Sequence, residues 1–223
     1  MSLRGQAIVA IWNDILPELR AEFIHWHDRE HIPERVAIPG FRRGRRFDAI
    51  QGNPAYFTLY EADDTDVLSG KAYLDRLNNP TPWTRHVTQA FRNTSRGICR
   101  VAHSWSCAIG GVIVTLRFDV APKRASALEG YLIETAFPPI VATRGIVGVH
   151  LAIADQAISG IETTERRGRA VAVPRWVAMI EASRPVDADH AGDQLLGCQL
   201  TDHGLSGHVD RGLYALGIMV DKA

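Results

Sequence analysis

This chain says much of what it is twice. Pro33, Val36, Ala37 and Gly40 return as Pro138, Val141, Ala142 and Gly145 at one common offset, and the tetrapeptide YEAD beginning at Tyr60 is echoed by IEAS beginning at Ile180. The identities are few, so the shared order of elements around them carries most of the weight. A chain that repeats one supersecondary unit has to bury the same bare face twice, and the economical way is to bury one copy against the other.

The first copy opens with QAIVAIW (residues 6–12), short, apolar and β-prone, after which Asn13 or Asp14 can cap a helix starting near Ile15 with Pro17 in its first turn. Pro33 should bend that helix, and Pro39-Gly40 stops it. Residues 41–50 then read as a strand, QGNP as a turn, and residues 55–63 as a strand whose alternation and aromatic content suit a hairpin with its predecessor. A helix over 66–77, an extra stretch over 81–93 with room for a short helix, and a strand over 96–105 complete a βαββαβ unit. The second copy runs strand 110–120, helix 124–141, strand 146–155, a polar, flexible loop over 157–173, strand 174–183, helix 187–201 and strand 211–220. The predicted fold class is therefore α+β. Two tandem ferredoxin-like units, residues 1–108 and 109–223, are expected to place their antiparallel sheets face to face as an intramolecular α/β barrel.

Composition narrows the function classes. An apolar fraction of 46 % is ample for such a core, and 25 basic against 25 acidic residues leave no global field to recruit nucleic acid or an anionic membrane. The N-terminus lacks the apolar core and cleavage site of a leader, and no run approaches a membrane span, so a soluble, cytoplasmic protein is expected. Cys99, Cys107 and Cys198 are odd in number without CxxC spacing; they read as structural thiols in a reducing compartment.

The densest chemistry lies at the end of the first helix. At 100° per residue Leu19, Phe23 and Trp26 form one stripe, Glu30 falls inside it, and His27 and His31 lie on its border. A carboxylate on a core-facing stripe is costly unless it is paired or lines a cavity. HDREH formally matches the inverted zinc-protease pattern H-x-x-E-H, but no third ligand follows and Pro33 interrupts the helix two residues later; no metal is assigned. A proton-transfer site fits better: His27 or His31 as the titrating group, Glu30 raised by burial or orienting a histidine, and Arg35 with the strand-two arginines Arg43 and Arg45 holding a carboxylate or enolate. Tyr56, Tyr60 and Trp83 could supply a stacking wall. Beside that reading stands the plainer one of a solvated helix end with Glu30 in an ion pair. At the repeat offset His27, Asp28, Glu30 and His31 correspond to Leu132, Ile133, Thr135 and Ala136, so a single site is expected, in the first half.

The run HDREHIPERVAIPGFRRGRRF, followed by AYFTLYEAD and NPTPWTR, resembles the dimeric α/β-barrel superfamily and within it the EthD-like proteins. The likeness covers roughly residues 15–85; the second half resembles the superfamily only in element order. It implies a pocket between sheet and helices for a small hydrophobic or aromatic molecule, used by cofactor-free oxygenases, isomerases and related enzymes and, in more distant members, for haem. Three functions stay open: a cofactor-free enzyme, a non-catalytic small-molecule-binding or structural protein, and haem binding through a histidine, with His150 as a further candidate ligand. The expected partner is a small hydrophobic molecule, with no cofactor, no nucleic acid and no membrane, in a monomer or a homodimer of tandem-repeat chains.

Overall fold

The computed structural model describes residues 3–168 and 170–222. Eight antiparallel strands close into one barrel: β1 (Ala7–Ile15), β2 (Phe41–Gly52), β3 (Tyr56–Ala62), β4 (Phe91–Ser106), β5 (Val112–Val120), β6 (Ile146–Ala154), β7 (Trp176–Ala182) and β8 (Leu205–Asp221). Their order around the wall is β1-β3-β2-β8-β5-β7-β6-β4. The first four strands therefore lie side by side as β4-β1-β3-β2 and the last four as β6-β7-β5-β8, the same arrangement twice. The two arrays face each other across the interior, and hydrogen bonding along β2–β8 and β4–β6 seals both seams so that no strand edge is left open.

Period-two alternation decides which side chains fill the barrel. Ile8, Ala10 and Trp12 of β1, Phe47 of β2, Phe57 and Leu59 of β3, Ile113 of β5, Val177 and Met179 of β7 and Tyr214 of β8 form the inner core. Trp12 stacks on Phe57 with centroids 4.7 Å apart. Helices cover the outer face. Over the second array Leu128, Leu132, Phe137, Ile140 and Leu195 pack on Val114, Leu116, Val149 and Ile180 as one continuous apolar layer. Over the first array the layer is split, with Ile32, Val36, Phe41 and Tyr60 in one cluster and Phe23, Trp26, Tyr56 and Val87 in another. A gap remains between them.

The repeat is legible at its turns. Gly40 and Gly145, each joining a helix to a strand, share a φ of 86°, a left-handed value that glycine adopts at least cost. A Cβ would also collide with Val67 at 2.4 Å in one copy and with Asp187 at 2.2 Å in the other. Several predicted boundaries move. The helix expected over 66–77 is two, Thr65–Ser69 and Lys71–Asn78, parted at Gly70, whose ψ of 158° is extended. The stretch after Pro80 does form a helix, Pro82–Thr88, capped by the Thr81 hydroxyl accepting from the Thr84 amide. β4 begins earlier than expected because Phe91 and Arg92 pair with Ile15 and Asp14. β8 does so because Leu205 and Ser206 pair with Val120 and Asp119. The loop expected over 157–173 carries short helical turns at Gln156–Ser159 and Thr164–Arg166, and Arg169 within it lies outside the described residues. No helix among the described residues is long and apolar enough to cross a membrane. The three cysteines are free, Cys99 buried and Cys107 exposed.

Candidate functional site

The first helix changes pitch where its chemistry is densest. After a 3-10 turn at Pro17–Leu19 and α-helix over Arg20–Trp26, residues His27–His31 form a π turn before α-helix resumes over Ile32–Ala37. The second copy repeats it at the equivalent place, Leu132–Ala136. Widening the helix lowers the step per residue from 100° to about 85°, so five residues of π turn lag an α-helical wheel by most of a residue. His31, at the far end of the turn, is thereby carried onto the buried stripe and Glu30 toward its edge, while His27, at the start of the turn, is hardly shifted; the two histidines are 3 % (His27) and 6 % (His31) exposed. Glu30 is half-buried and accepts hydrogen bonds from the hydroxyls of Thr81 (2.6 Å) and Thr84 (3.3 Å).

The gap in the outer layer is a cavity between this helix and the first array. The helix brings Trp26, His27, His31 and Arg35; the sheet brings Ile11, Asn13, Thr58, Tyr60 and Arg96; Tyr73 and Leu77 come from the Lys71–Asn78 helix. Glu165, Arg166 and Val171 come from the β6–β7 connection of the other half. Its volume open to water centres is about 40 Å³, roughly two or three waters. The rings form a contact cluster, stacked at Phe23–His27 and His27–His31, tilted at Trp26–His31 and edge-on at His31–Tyr60. His27 lies 4.8 Å from Phe23 and 5.4 Å from His31, and His31 lies 4.2 Å from Trp26 and 6.4 Å from Tyr60, between centroids.

Two polar atoms in this wall are buried without a hydrogen-bond partner among the described residues, Nδ1 of His27 and the hydroxyl of Tyr60. Burial, assisted by the positive charges of Arg46 and Arg35, holds the His27 pKa well below the ordinary imidazole value, so the ring is neutral near pH 7. Burial likewise pushes the Tyr60 phenol far above its usual range and keeps it a donor. A neutral imidazole and a protonated phenol, a proton acceptor and a hydrogen-bond donor, thus belong to two residues that line one cavity. Arg35, 2 % exposed, pairs with Glu165. Burial opposes its charge, but Glu165 together with Tyr73 and Tyr60 outweighs this and raises its pKa. Among the described residues no group of three or more His, Cys, Asp or Glu is placed to hold a metal ion.

Of the residues singled out from the sequence, the cavity brings together His27, His31, Arg35 and Tyr60. Glu30 is drawn to Thr81 and Thr84. Tyr56 packs against Phe23 at 4.6 Å, outside the cavity lining, and Trp83 donates to Glu22 at 3.1 Å on the outer side of the helices. Arg43 and Arg45 point to the opposite side of the sheet, into the barrel. There Arg43 makes a bidentate pair with Glu61, both bonds 2.8 Å, and Arg45 bridges Glu61 (3.1 Å) and Glu181 (2.9 Å). His150 belongs to the same buried network, with Ser104 Oγ at 2.8 Å from Nδ1 and Glu181 at 3.4 Å from Nε2. Sequence reasoning missed this network, although Glu61 and Glu181 are the glutamates of the echoed YEAD and IEAS. It also missed Glu165 and Arg166, because nothing local marks a loop of one copy as the cover of the other copy's cavity.

No family model matches the chain, and no curated protein matches it. Solved structures do. An anthrone oxidase-like protein superposes with a TM-score of 0.64 at 12 % identity, covering 99 % of this chain and 95 % of its own. A candidate monooxygenase from Fusobacterium nucleatum does so with 0.64 at 10 %, covering 99 % and 96 %. A heme-binding protein from Thermus thermophilus gives 0.52 at 10 %, covering 96 % and 92 %. Similarity at this level of identity is similarity of fold, and it extends over nearly the whole length of each: the chain has the α+β architecture of the dimeric α/β-barrel proteins, built here from one polypeptide.

Proposed function

We propose that the cavity is the active site of a cofactor-free enzyme that moves a proton on a small hydrophobic or aromatic carbonyl compound, chemistry shared by isomerases and the first step of cofactor-free oxygenases. The observation that carries this reading is that two residues lining one aromatic-walled cavity, His27 and Tyr60, each hold a buried polar atom, Nδ1 and the hydroxyl, with no hydrogen-bond partner among the described residues. Leaving such groups unsatisfied costs stability, on the order of 1–3 kcal/mol each, and such a cost is commonly tolerated where function uses the group. In the step envisaged, the C–H bond next to the carbonyl breaks, its electron pair passes to the carbonyl oxygen as an enolate, and the proton goes to His27. The Tyr60 hydroxyl donates to the developing oxyanion. His31 and Trp26, each in ring contact with His27 and with one another, hold the imidazole in place. The name of one similar structure, an anthrone oxidase-like protein, accords with an aromatic substrate. The finer EthD-like assignment rests on the HDREHIPERVAIPGF motif alone.

Haem does not fit these residues as they stand. The cavity takes only a few waters, and a porphyrin would have to displace Trp26, Phe91 and the covering loop together.

The test is α-proton exchange. With 1-tetralone in deuterated buffer, NMR should show deuterium entering the carbon next to the carbonyl faster than in buffer, with the enhancement lost in His27→Phe and reduced by about tenfold or more in Tyr60→Phe. Binding of aromatic ketones without any exchange would return the chain to the non-catalytic binding class. Absence of both binding and exchange would remove the cavity from consideration.

A further inference from the structure

The cavity's charges are unevenly matched. Three guanidinium groups line it, Arg35, Arg96 and Arg166, against a single carboxylate, Glu165. Arg96 is buried and donates to the Tyr73 hydroxyl at 3.1 Å, with no carboxylate within ion-pair distance among the described residues. Arg166 donates to the backbone oxygens of Ser159 (2.9 Å) and Ile161 (3.1 Å). Arg35 has Glu34 at 3.7 Å, but Glu34 is engaged by Arg76, so the close counter-ion of Arg35 is Glu165.

That counter-ion comes from the β6–β7 connection rather than from a strand or a long helix. Sheet and helices form every other wall, whereas residues 155–175 cross over from the second half; their first turn is anchored on β4, the Asp155 amide donating to the Ile98 oxygen (2.8 Å) and the Ile98 amide to the Ser159 hydroxyl (2.9 Å), and beyond Ser159 the ties to the first half include these. The amide of Ala172 donates to the Thr94 oxygen (3.0 Å), the amide of Arg96 to the Ala172 oxygen (2.8 Å), and the amide of Thr164 to Asn78 (3.1 Å). Within the folds of this connection lies a second space of about 280 Å³, which shares Arg166 and Val171 with the cavity. A cavity of 40 Å³ cannot admit an aromatic ring, since benzene occupies engineered cavities of about 150 Å³. Any such ligand must therefore displace part of the wall, and the part with room behind it is the one that holds Glu165.

We propose that the site takes small aromatic or hydrophobic acids, and that the ligand's carboxylate replaces Glu165 on Arg35, releasing the loop as it enters. The inference rests on reading this cavity as the ligand site and adds the ligand's charge. Exchanging one carboxylate for another keeps Arg35 paired throughout, and a guanidinium accepts a carboxylate through two parallel hydrogen bonds. A neutral ligand faces a worse choice: with Glu165 in place it lacks space, and with Glu165 displaced it leaves a buried cation unpaired. Arg96 adds positive charge on the sheet side of the same space. Glu165 thus acts as a resident stand-in for the ligand's own acid group.

Calorimetric titration with 1-naphthoate and its neutral counterpart 1-naphthamide tests this. The wild type should bind the acid about tenfold or more tightly than the amide, and Glu165→Gln should widen that ratio by about another tenfold by removing the internal competitor. Because Glu165→Gln leaves Arg35 without its partner, its melting temperature is read alongside: 1-naphthoate should raise it further than it raises the wild type's. A double variant, Arg35→Gln with Glu165→Gln, should bind the two ligands alike. Equal binding of acid and amide by the wild type, or no change of the ratio in Glu165→Gln, overturns the inference, while α-proton exchange on the neutral 1-tetralone would leave the active-site reading standing. If neither naphthalene compound binds and no exchange is seen, both fall.

Discussion

Glu181 gives the sharpest quantitative test of how the barrel is held. It is almost fully buried and takes Arg45 at 2.9 Å, the Gly110 amide at 2.9 Å and His150 at 3.4 Å. Burial alone would raise its pKa, but Arg45, His150 and the Gly110 amide outweigh it and hold the carboxyl at about 2 against the ordinary 4.5. At about 1.4 kcal/mol per pH unit, that difference corresponds to roughly 3 kcal/mol of stability. The sign follows from the depressed native value: the contribution is complete above pH 4.5 and is lost as pH falls from there toward 2. Glu181→Gln leaves Arg43 and Arg45 sharing one buried carboxylate, Glu61. Breaking a buried pair on one side costs about 3–5 kcal/mol, consistent with the first figure. Denaturant unfolding at pH 7 should therefore show a loss of about 3–4 kcal/mol, or roughly 10 °C in melting temperature for a chain of this size. Between about pH 4.5 and 3.5 the gap to wild type should narrow by about 1 kcal/mol, because wild type is then losing what the variant never had. A variant within about 1 kcal/mol of wild type at pH 7, or a gap that stays constant down to about pH 3.5, would refute the reasoning.

Other expectations are smaller in scope. Residues 1–108 alone would expose the edges of β2 and β4 and the inner face of the first array, so size-exclusion chromatography with light scattering should find an unfolded or self-associated species; a monomer with a cooperative melt would contradict the dependence of one half on the other. Glu30→Gln should cost no more than about 1 kcal/mol in thermal melts and leave ligand affinity unchanged, since its bonds to Thr81 and Thr84 lie outside the cavity lining. His27, kept neutral in the native state, binds its proton more readily when the chain is unfolded. Stability should therefore fall as pH drops below 6.5, by up to about 1.4 kcal/mol per unit from this residue. His27→Phe should flatten the curve between about pH 6.5 and 5; an unchanged slope would place the titration elsewhere.

The barrel was legible in the sequence because its determinants are local or periodic: β-prone runs, the glycines at positions 40 and 145, and one βαββαβ order stated twice. The site was legible only in part. A helical wheel turning at 100° per residue cannot foresee a π turn, which is why it sets Glu30 inward and leaves His31 at the margin. The strand-two arginines showed no sign of which way they faced, because β2 is buried on both sides and Gly44, pressed against Ile32, separates Arg43 from Arg45 without revealing the phase. Pairs such as Arg45–Glu181 and Arg35–Glu165 join residues more than a hundred positions apart, and only closure of the barrel brings them together.

The connections between equivalent strands differ greatly in length. β2 passes to β3 through residues 53–55, whereas β6 passes to β7 through residues 155–175, and that long connection covers the first half's cavity. In a homodimer encoded by a half-length gene, any insertion appears in both subunits, and a loop that covers one cavity must cover the other. Joining the halves in one reading frame removes that obligation. One copy can supply the cover while the other keeps the histidines, and each is free to drift where its counterpart is held. A fused chain of this kind carries one such covered cavity where a homodimer of half-length chains would carry two.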